Sequence, residues 1–349
     1  MTPTQHLHGL LLGTAIGDSV GLPSEGLSPK AITKHGWDRN WKHRLIFGRG
    51  LWSDDSEHTI ILAQALNHSK GDPPLFQKHL ARGLKKWLLF LPAGVGLATA
   101  RALFKLWLGF PPEKSGVFSA GNGPMMRCAL IGVVFRSEPE TRLQLNRIQT
   151  RLTHTDPKAE FCARAIVELA ALFTQEQPNL SLDHVFSTIT FSDADADYRA
   201  LIETIQHAIT HQYSLSQLIQ ILGGNPIKGV SGYCYHSLAA VLHCGIKHHW
   251  QANKALPAIW SAGGDTDTTG AILGALCGTL HGVQSLPQSW SSHLTEFPSS
   301  VPQLKELAEA TIKHKACTIR PPFHPLLLLR NFLFLLIVLG HGLARLIPR

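Results

Sequence analysis

Apolar residues recur along most of the chain at intervals of three and four, the spacing that places side chains on one face of an α-helix. A clear example follows Asp156, where Ala165, Leu169 and Leu172 share a face. Asp156 suits an N-cap and Pro157 suits the first helical position, so a helix is predicted to begin there. Because no segment shows the apolar–polar alternation of a half-buried strand, the pattern predicts an all-α protein.

Two segments carry glycine at every fourth position. A glycine inside a helix costs about 1 kcal/mol relative to alanine, so a stripe of glycines indicates that another backbone approaches closely. We expect the two helices to lie at the centre of the protein, packed against each other, which would bring residues 18–25 near residue 265. The stripes are formed by Gly9, Gly13, Gly17 and Gly21, and by Gly270, Gly274, Gly278 and Gly282.

Two short acidic clusters, far apart in the chain, stand where helices should begin. They are Ser53-Asp54-Asp55 and Asp265-Thr266-Asp267-Thr268. Carboxylates and hydroxyls are hard oxygen donors, so the clusters together would suit Mg²⁺ or Mn²⁺, and two ions would fit. The same residue types are ordinary helix caps and first-turn acids, so the residues alone leave metal binding and capping both open. Capping, however, does not need adjacent carboxylates, which repel unless a cation neutralises them.

A glycine-rich turn, Ser119-Ala120-Gly121-Asn122-Gly123-Pro124, leads into an apolar run. Its backbone amides could bind a phosphate, and a helix start would add a favourable dipole. Asn-Gly is also a common turn signal, so the segment alone does not decide between a binding loop and a plain turn.

The composition is that of a globular protein, with 44% hydrophobic and 16% charged residues among 349. Length alone allows one large domain or two smaller ones. The six cysteines are dispersed without a Cys-x-x-Cys pair, which predicts buried thiols in a reducing compartment and a cytoplasmic location. No Lys or Arg precedes the first apolar run, which argues against a secretory signal.

The formal net charge of +8 indicates affinity for anions, without choosing among nucleotide phosphates, nucleic acid and an acidic membrane. The densest basic group is Lys78, Arg82, Lys85 and Lys86. Its helical spacing favours a solvated helix face over a nucleic-acid surface, and no stable nucleic-acid complex is predicted.

The C-terminal segment, residues 326–347, is strongly apolar. Its longest uncharged stretch, Phe332 to Gly340, is shorter than the roughly 20 residues that a membrane span needs. A helix packed on the domain is favoured, and an interfacial membrane anchor with a basic end is the alternative. Pro321, Pro322 and Pro325 precede this helix, so the predicted division is a body of residues 1–320 and a tail of residues 321–349.

Five segments, in this order, resemble the successive motifs of the ADP-ribosylglycohydrolase family: GDSVGLPSE, WSDDSEHT, SAGNGPMMR, THTDPKAE and SAGGDTDTTGAILGALCG. The resemblance extends from about residue 9 to residue 282. It implies an all-helical fold with two Mg²⁺ or Mn²⁺ ions in a cleft that binds ADP-ribose. The tail lies outside these motifs, and nothing in it looks catalytic.

The resemblance also implies roles for the residues that match each motif. Glu25 would be the catalytic acid beside the metals, and Asp265 would be needed for catalysis as well as for metal binding. The implied metal ligands are Ser53, Asp54, Asp55, Asp265, Asp267 and Thr268. The implied contacts to ADP-ribose are Ser119, Gly121, Asn122, Gly123 and His154. Asp18 is expected to be structural, binding backbone amides in the turn after the first glycine-rich helix.

The function expected from the resemblance is metal-dependent hydrolysis of the glycosidic bond between ADP-ribose and a protein, nucleic-acid or small-molecule acceptor. The alternatives are a relative that binds ADP-ribose without turnover and a metal-dependent nucleotide phosphohydrolase. Glu57-His58 departs from many family members, which leaves the role of this pair and the substrate preference open.

Overall fold

The computed structural model describes residues 1–92, 94–175, 180–297, 299–314 and 325–344. Of the described residues, 69% are helical, and these residues form isolated bridge pairs but no strand. The predicted all-α class is therefore confirmed.

The described part of the chain contains 17 α-helices, numbered here in chain order. They are α1 (Pro3–Gly21), α2 (Pro29–Lys34), α3 (Asp54–Ser69), α4 (Pro73–Leu89), α5 (Leu97–Trp107), α6 (Met125–Val134), α7 (Pro139–Arg151), α8 (Pro157–Gln175), α9 (Leu182–Ile189), α10 (Ala196–Thr210), α11 (Leu215–Ile221), α12 (Cys234–Lys247), α13 (Ala252–Ser261), α14 (Thr266–His281), α15 (Gln288–Ser291), α16 (Val301–Ile312) and α17 (Pro325–Ala344). Helix α8 begins at Pro157, as predicted, and the Asp156 side chain accepts a hydrogen bond from the amide of Lys158 at 2.9 Å.

The two glycine-bearing helices, α1 and α14, pack directly against each other at the centre of the protein. A Cβ atom on Gly13 would overlap the carbonyl oxygen of Gly274, and a Cβ on Gly17 would overlap that of Gly270. The glycines therefore allow backbone-to-backbone contact, which confirms the predicted packing of the two stripes.

This close contact brings the end of α1 to the start of α14. The hydroxyl of Ser24 donates to that of Thr266 at 3.1 Å, and the amide of Gly26 donates to the carbonyl of Gly264 at 2.8 Å. Glu25 lies between these two contacts, so the predicted approach of residues 18–25 to residue 265 is confirmed.

The rest of the core is formed by apolar faces of the surrounding helices. In α4, Phe76, Leu80 and Leu84 are buried, while Arg82 and Lys86 are exposed on the opposite side. The basic group thus lies on the solvent face of an amphipathic helix, as expected. The described cysteines are buried free thiols, also as expected: Cys128, Cys162, Cys234, Cys244 and Cys277. Cys317 lies outside the described residues.

Helix α17 contacts the body of the protein through one face. Leu327, Arg330, Asn331 and Phe334 are buried, whereas most of its other side chains are exposed. By length and composition it is long and apolar enough to cross a membrane, with a mean hydropathy of 2.0 over Leu326–Leu343. The predicted packing on the body therefore holds for one face of the helix only.

The division between body and tail stays a prediction. Pro321 and Pro322 lie outside the described residues, and Pro325 is the first residue of α17.

Candidate active site

A cleft of about 660 Å³ opens beside the N-termini of α3 and α14. Four segments that are distant in sequence form its polar wall: the turn after α1, the start of α3, the glycine-rich loop before α6 and the start of α14. The predicted site residues that line it are Glu25, Ser53, Asp54, Ser119, Gly121, Asn122, Gly123, His154, Asp265, Asp267 and Thr268. The remaining one, Asp55, is buried and bonded to two of these residues.

Asp18 holds the first acidic cluster in place. Its buried carboxylate accepts hydrogen bonds from the amide of Ser53 at 2.8 Å, the amide of Ser56 at 3.2 Å and the hydroxyl of Ser56 at 2.6 Å. Asp18 therefore caps α3 from a distant part of the chain, and the expected binding to the turn after α1 was wrong. Burial raises the pKa of Asp18 to about 6, although these hydrogen bonds act in the opposite direction.

The two acidic clusters meet through Asp55. Its Oδ2 atom accepts hydrogen bonds from the hydroxyl of Ser53 at 3.3 Å and from the hydroxyl of Thr268 at 3.4 Å. Ser53 and Asp265 stand at the N-cap positions of α3 and α14, but neither side chain caps its helix. Capping therefore does not account for these two side chains, which point instead to shared chemistry between the clusters.

The clustered carboxylates strongly disfavour one another's ionisation. Burial raises the pKa of Asp54, Asp55 and Asp267 well above the ordinary value, and the charges of neighbouring carboxylates raise it further. For Asp267 the neighbours are Glu25, Asp265 and Asp55, with Glu25 the strongest. A cation bound among these groups would lower their pKa again, because its positive charge stabilises the ionised carboxylates against both burial and mutual repulsion.

The side chains at this junction are carboxylates and hydroxyls, the donor types that hard divalent cations prefer. One oxygen of Asp55, Oδ1, is buried without a hydrogen-bond partner, as expected of an atom that awaits a cation. Within the described ranges, no three His, Cys, Asp or Glu side chains converge closely enough to hold a metal by themselves. A complete ligand set therefore requires the hydroxyls of Ser53 and Thr268, or small rotations of the carboxylates.

The glycine-rich loop is hydrogen-bonded to a second loop, residues 228–232. The amide of Asn122 donates to the carbonyl of Gly232 at 3.0 Å. The side-chain nitrogen of Asn122 donates to Asp265 at 2.7 Å and to the hydroxyl of Ser237 at 2.9 Å. Asn122 thus orients a carboxylate of the acidic pair, which is a positioning role beyond the predicted contact with ligand.

His154 lines the cleft beside the glycine-rich loop, with its ring next to Gly121 and Gly123. Burial, helped by the charge of Arg127, lowers its pKa to about 3, so the ring is neutral at pH 7. Its Nδ1 lies 2.9 Å from the hydroxyl of Thr153, and that hydroxyl accepts a hydrogen bond from Arg127 at 2.8 Å. The Thr153 hydroxyl can therefore donate its own proton to Nδ1 of His154. With Nδ1 assigned as the acceptor, the ring proton is on Nε2, and this N–H faces Gly121.

Glu57 and His58 lie beneath the cleft and do not line it. Glu57 accepts a short hydrogen bond from the indole of Trp87 and faces Arg330 at 3.3 Å. His58 packs edge-on against Trp87, with ring centroids 4.3 Å apart, and its Nδ1 lies 3.2 Å from Arg127. The pair joins α3 to its neighbours, so its contacts are structural.

Sequence reasoning missed part of the cleft wall. The loop residues Lys228, Ser231 and Gly232 line it, and so do Phe334 and Val338 of α17. The sequence Gly229-Val-Ser-Gly just before an apolar helix resembles the loop at residues 121–124 and could have drawn attention. No local signal marks Phe334 or Val338, because their position depends on where α17 docks.

Comparison with known proteins identifies the fold and the family. A model of the ADP-ribosylglycohydrolase family matches residues 1–319. The protein belongs to this family. The chain is 27% identical to an "ADP-ribosylarginine hydrolase Tri1" of Pseudomonas putida (strain GB-1), over 88% of this chain and 82% of that protein. It is 24% identical to the ADP-ribosyl-dinitrogen reductase glycohydrolase of Rhodospirillum rubrum, over 82% of this chain and 89% of that protein.

A solved structure shows the same fold. The protein superposes on a chain of an "ADP-ribosylglycohydrolase-related protein complex" with a TM-score of 0.57 and 24% identity, covering 90% of this chain and 99% of the other. The resemblance seen in the five motifs and the all-α fold are therefore confirmed. Family membership indicates an ADP-ribosyl hydrolase that acts on ADP-ribosylated substrates.

Proposed function

We propose that the protein hydrolyses the glycosidic bond between ADP-ribose and an acceptor, with two Mg²⁺ or Mn²⁺ ions bound at the two acidic clusters. The observation that carries the proposal is that the buried Asp55 joins Ser53 and Thr268 by hydrogen bonds behind the wall of one cleft, which Glu25 and the glycine-rich loop also line. The volume of about 660 Å³ lies within the range of small-molecule and cofactor sites.

Six side chains would hold the ions: Ser53, Asp54, Asp55, Asp265, Asp267 and Thr268. Divalent ions in such a site polarise the oxygens of water and of ribose hydroxyls. The four aspartates would offset the charge of two divalent ions, which leaves Glu25 for another role. Asn122 would keep Asp265 in its ligating orientation through the 2.7 Å hydrogen bond.

Glu25 would act on the attacking water. Cleavage at the anomeric carbon passes through an oxocarbenium-like state, and water must reach one face of the ribose as the acceptor leaves. Glu25 lies close enough to Asp54 and Asp267 to raise the pKa of both, so its carboxylate can orient a water beside them and accept its proton.

The glycine-rich loop and the adjoining loop at residues 228–232 would bind the ADP moiety. The amides of Gly121 and Asn122 already donate to Ser119 and Gly232, so other amides of the loop at residues 119–123 would donate to the pyrophosphate, and Lys228 supplies a positive charge. The neutral ring of His154 can donate from Nε2, while Gly121 and Gly123 leave room for it, since a Cβ at either position would lie 3.0–3.1 Å from the ring.

Arginine-linked ADP-ribose is the first acceptor to test, because the named P. putida relative is an ADP-ribosylarginine hydrolase. The assay measures release of free ADP-ribose from arginine-, serine- and DNA-linked conjugates, with Mg²⁺ or Mn²⁺ and with chelator. We expect metal-dependent release from at least one conjugate, and its loss in Glu25→Gln.

Other products would contradict the proposal in distinguishable ways. Release of phosphate from nucleotides without ADP-ribose would identify a phosphohydrolase. Tight binding of ADP-ribose with no turnover of any conjugate would identify a relative that only binds.

A further inference from the structure

Helix α17 buries its polar residues Arg330 and Asn331 beside Leu327 and Phe334, and exposes a row of leucines to the solvent, whereas a helix on an ordinary soluble surface exposes its polar residues. On its inner side, Arg330 pairs with Glu296 at 2.7 Å and with Glu57 at 3.3 Å, and Asn331 donates to the carbonyl of Phe90 at 2.7 Å. Its exposed outer side is formed by Leu326, Leu328, Leu329, Phe332, Leu333, Leu335, Leu336, Leu339 and Leu343.

A second exposed apolar segment lies beside this helix, at the end of α4 and along α5. Leu89 and Leu91 flank Phe90, the residue that Asn331 contacts, and they are 54% and 74% exposed. Leu97 lines the cleft together with Phe334 of α17, which places α5 near the same helix. Most of the large apolar side chains that are exposed in the described residues fall in these two segments. Together, the exposed side chains of α17 and the adjoining Leu89 and Leu91 form one surface, here called the apolar face.

The charge next to the apolar face is positive. Residues 73–112 contain no Asp or Glu, and Arg82 and Lys86 are exposed on α4, with Lys86 one turn before Phe90. The acidic side chains that bond α17 are Glu57 and Glu296, and both are buried and paired with Arg330. The surface therefore combines exposed leucines with exposed cations, the combination that binds anionic lipid headgroups and the acyl boundary beneath them.

We propose that the apolar face is a membrane-binding surface, with α17 lying in the interface of an anionic phospholipid bilayer. Crossing the bilayer would pull Arg330 away from Glu57 and Glu296 and leave two buried carboxylates without their cation. A second copy packed on the same face would put two sets of these cations at one interface, with no acidic partner among residues 73–112, which is unfavourable. A bilayer satisfies the leucines and the cations together.

Phe334 and Val338 stand in the wall of the cleft on the inner side of the same helix. Membrane binding would therefore hold the cleft mouth next to the lipid surface. The proposal is independent of the reaction in the cleft, because its readout is binding and not turnover.

The test is co-sedimentation of the full-length protein with phosphatidylcholine vesicles, with and without phosphatidylglycerol. We expect binding to the anionic vesicles that weakens with salt. Leu329→Gln with Leu339→Gln should reduce the partition coefficient about tenfold, because both side chains are half exposed on the outer side. Arg82→Gln with Lys86→Gln should reduce it about fivefold per cation removed.

The matched control is Ile221→Gln, which removes one large exposed apolar side chain of α11, outside the cleft that α17 helps to line, and is compared with Leu329→Gln alone. It should bind vesicles like the unchanged protein, and all variants should keep its thermal midpoint because the altered residues are exposed. Equal loss in the control and the α17 variant would overturn the proposal. Absence of vesicle binding would also overturn it. A dimer that the α17 variant abolishes, without vesicle binding, would show that a second copy covers the face. Resistance of the membrane-bound protein to alkaline extraction would indicate that α17 spans the membrane.

Discussion

The Asp265 side chain takes part in three interactions that shape the cleft. It stands at the start of α14, accepts a hydrogen bond from Asn122 and contributes to the raised pKa of Asp55 and Asp267. Asp265→Asn should lower turnover by about 10³ or more, since an amide is a poor ligand for a hard cation. Steady-state release of ADP-ribose measures this. Asp197→Asn, at an exposed residue paired with Lys158, is the matched control and should be active; full activity in Asp265→Asn would refute the metal assignment.

His154 tests the ligand side of the cleft. The Nε2–H of its neutral ring faces the cleft beside Gly121 and can donate to a bound ligand. His154→Ala should therefore remove one hydrogen bond to a charged ligand and weaken ADP-ribose binding about tenfold to a hundredfold. Calorimetric titration with ADP-ribose checks the affinity, and turnover at saturating substrate should change less. His211→Ala, at an exposed histidine, is the control. A collapse of turnover with unchanged affinity would instead assign His154 to the chemical step.

At the scale of elements, the contact between α1 and α14 leaves no room for a side chain. Gly13→Ala should destabilise the protein by at least about 3 kcal/mol, because its Cβ would overlap a backbone carbonyl of α14 that cannot rotate away. Gly340→Ala is the control, since a Cβ there meets no atom within 4 Å, and it should be neutral or stabilising by up to about 1 kcal/mol. Denaturant unfolding measures both changes, and an equal effect of the two substitutions would rule out the packing argument.

The sequence predicted those elements whose signal is local or periodic. The glycine stripes predicted the central helix pair, and Asp156-Pro157 predicted the start of α8. The capping partner of α3 could not be predicted, because Asp18 reaches Ser53 only through the tertiary fold. The same limit applies to Phe334 and Val338, which enter the cleft wall through the packing of a distant helix and carry no signal of their own.

For the whole molecule, the acidic clusters connect stability to pH and to divalent cations. The raised pKa values of Asp54, Asp55 and Asp267 mean that the folded state binds protons more tightly than the unfolded state. Without a cation, their contribution to stability therefore falls as pH rises from about 4 through the raised values. A bound cation favours the ionised carboxylates, so Mg²⁺ should stabilise the protein strongly at pH 7 and only weakly at pH 5.

Thermal unfolding with Mg²⁺ and with chelator at each pH measures this difference. At a concentration one hundred times Kd, the stabilisation at pH 7 should be about 2.7 kcal/mol. The buried His154 has the opposite pH dependence: because its pKa is lowered, it reduces the stability of the folded state below about pH 6.5. This effect is the same with Mg²⁺ and with chelator, so it cancels when the two are compared at one pH. An equal shift at both pH values, or an equal shift in Asp265→Asn, would show that the ion binds elsewhere.

The pairing of α1 with α14 also constrains the order of folding. One partner lies near the beginning of the chain and the other more than two hundred residues later, so the central contact closes a very long loop. Ribosome-bound or truncated chains that end before α14 lack most of the second acidic cluster and the helix that covers the glycine-bearing side of α1. Until residues 266–281 have emerged and docked, that side of α1 stays exposed, which makes the helix accessible to a chaperone during synthesis.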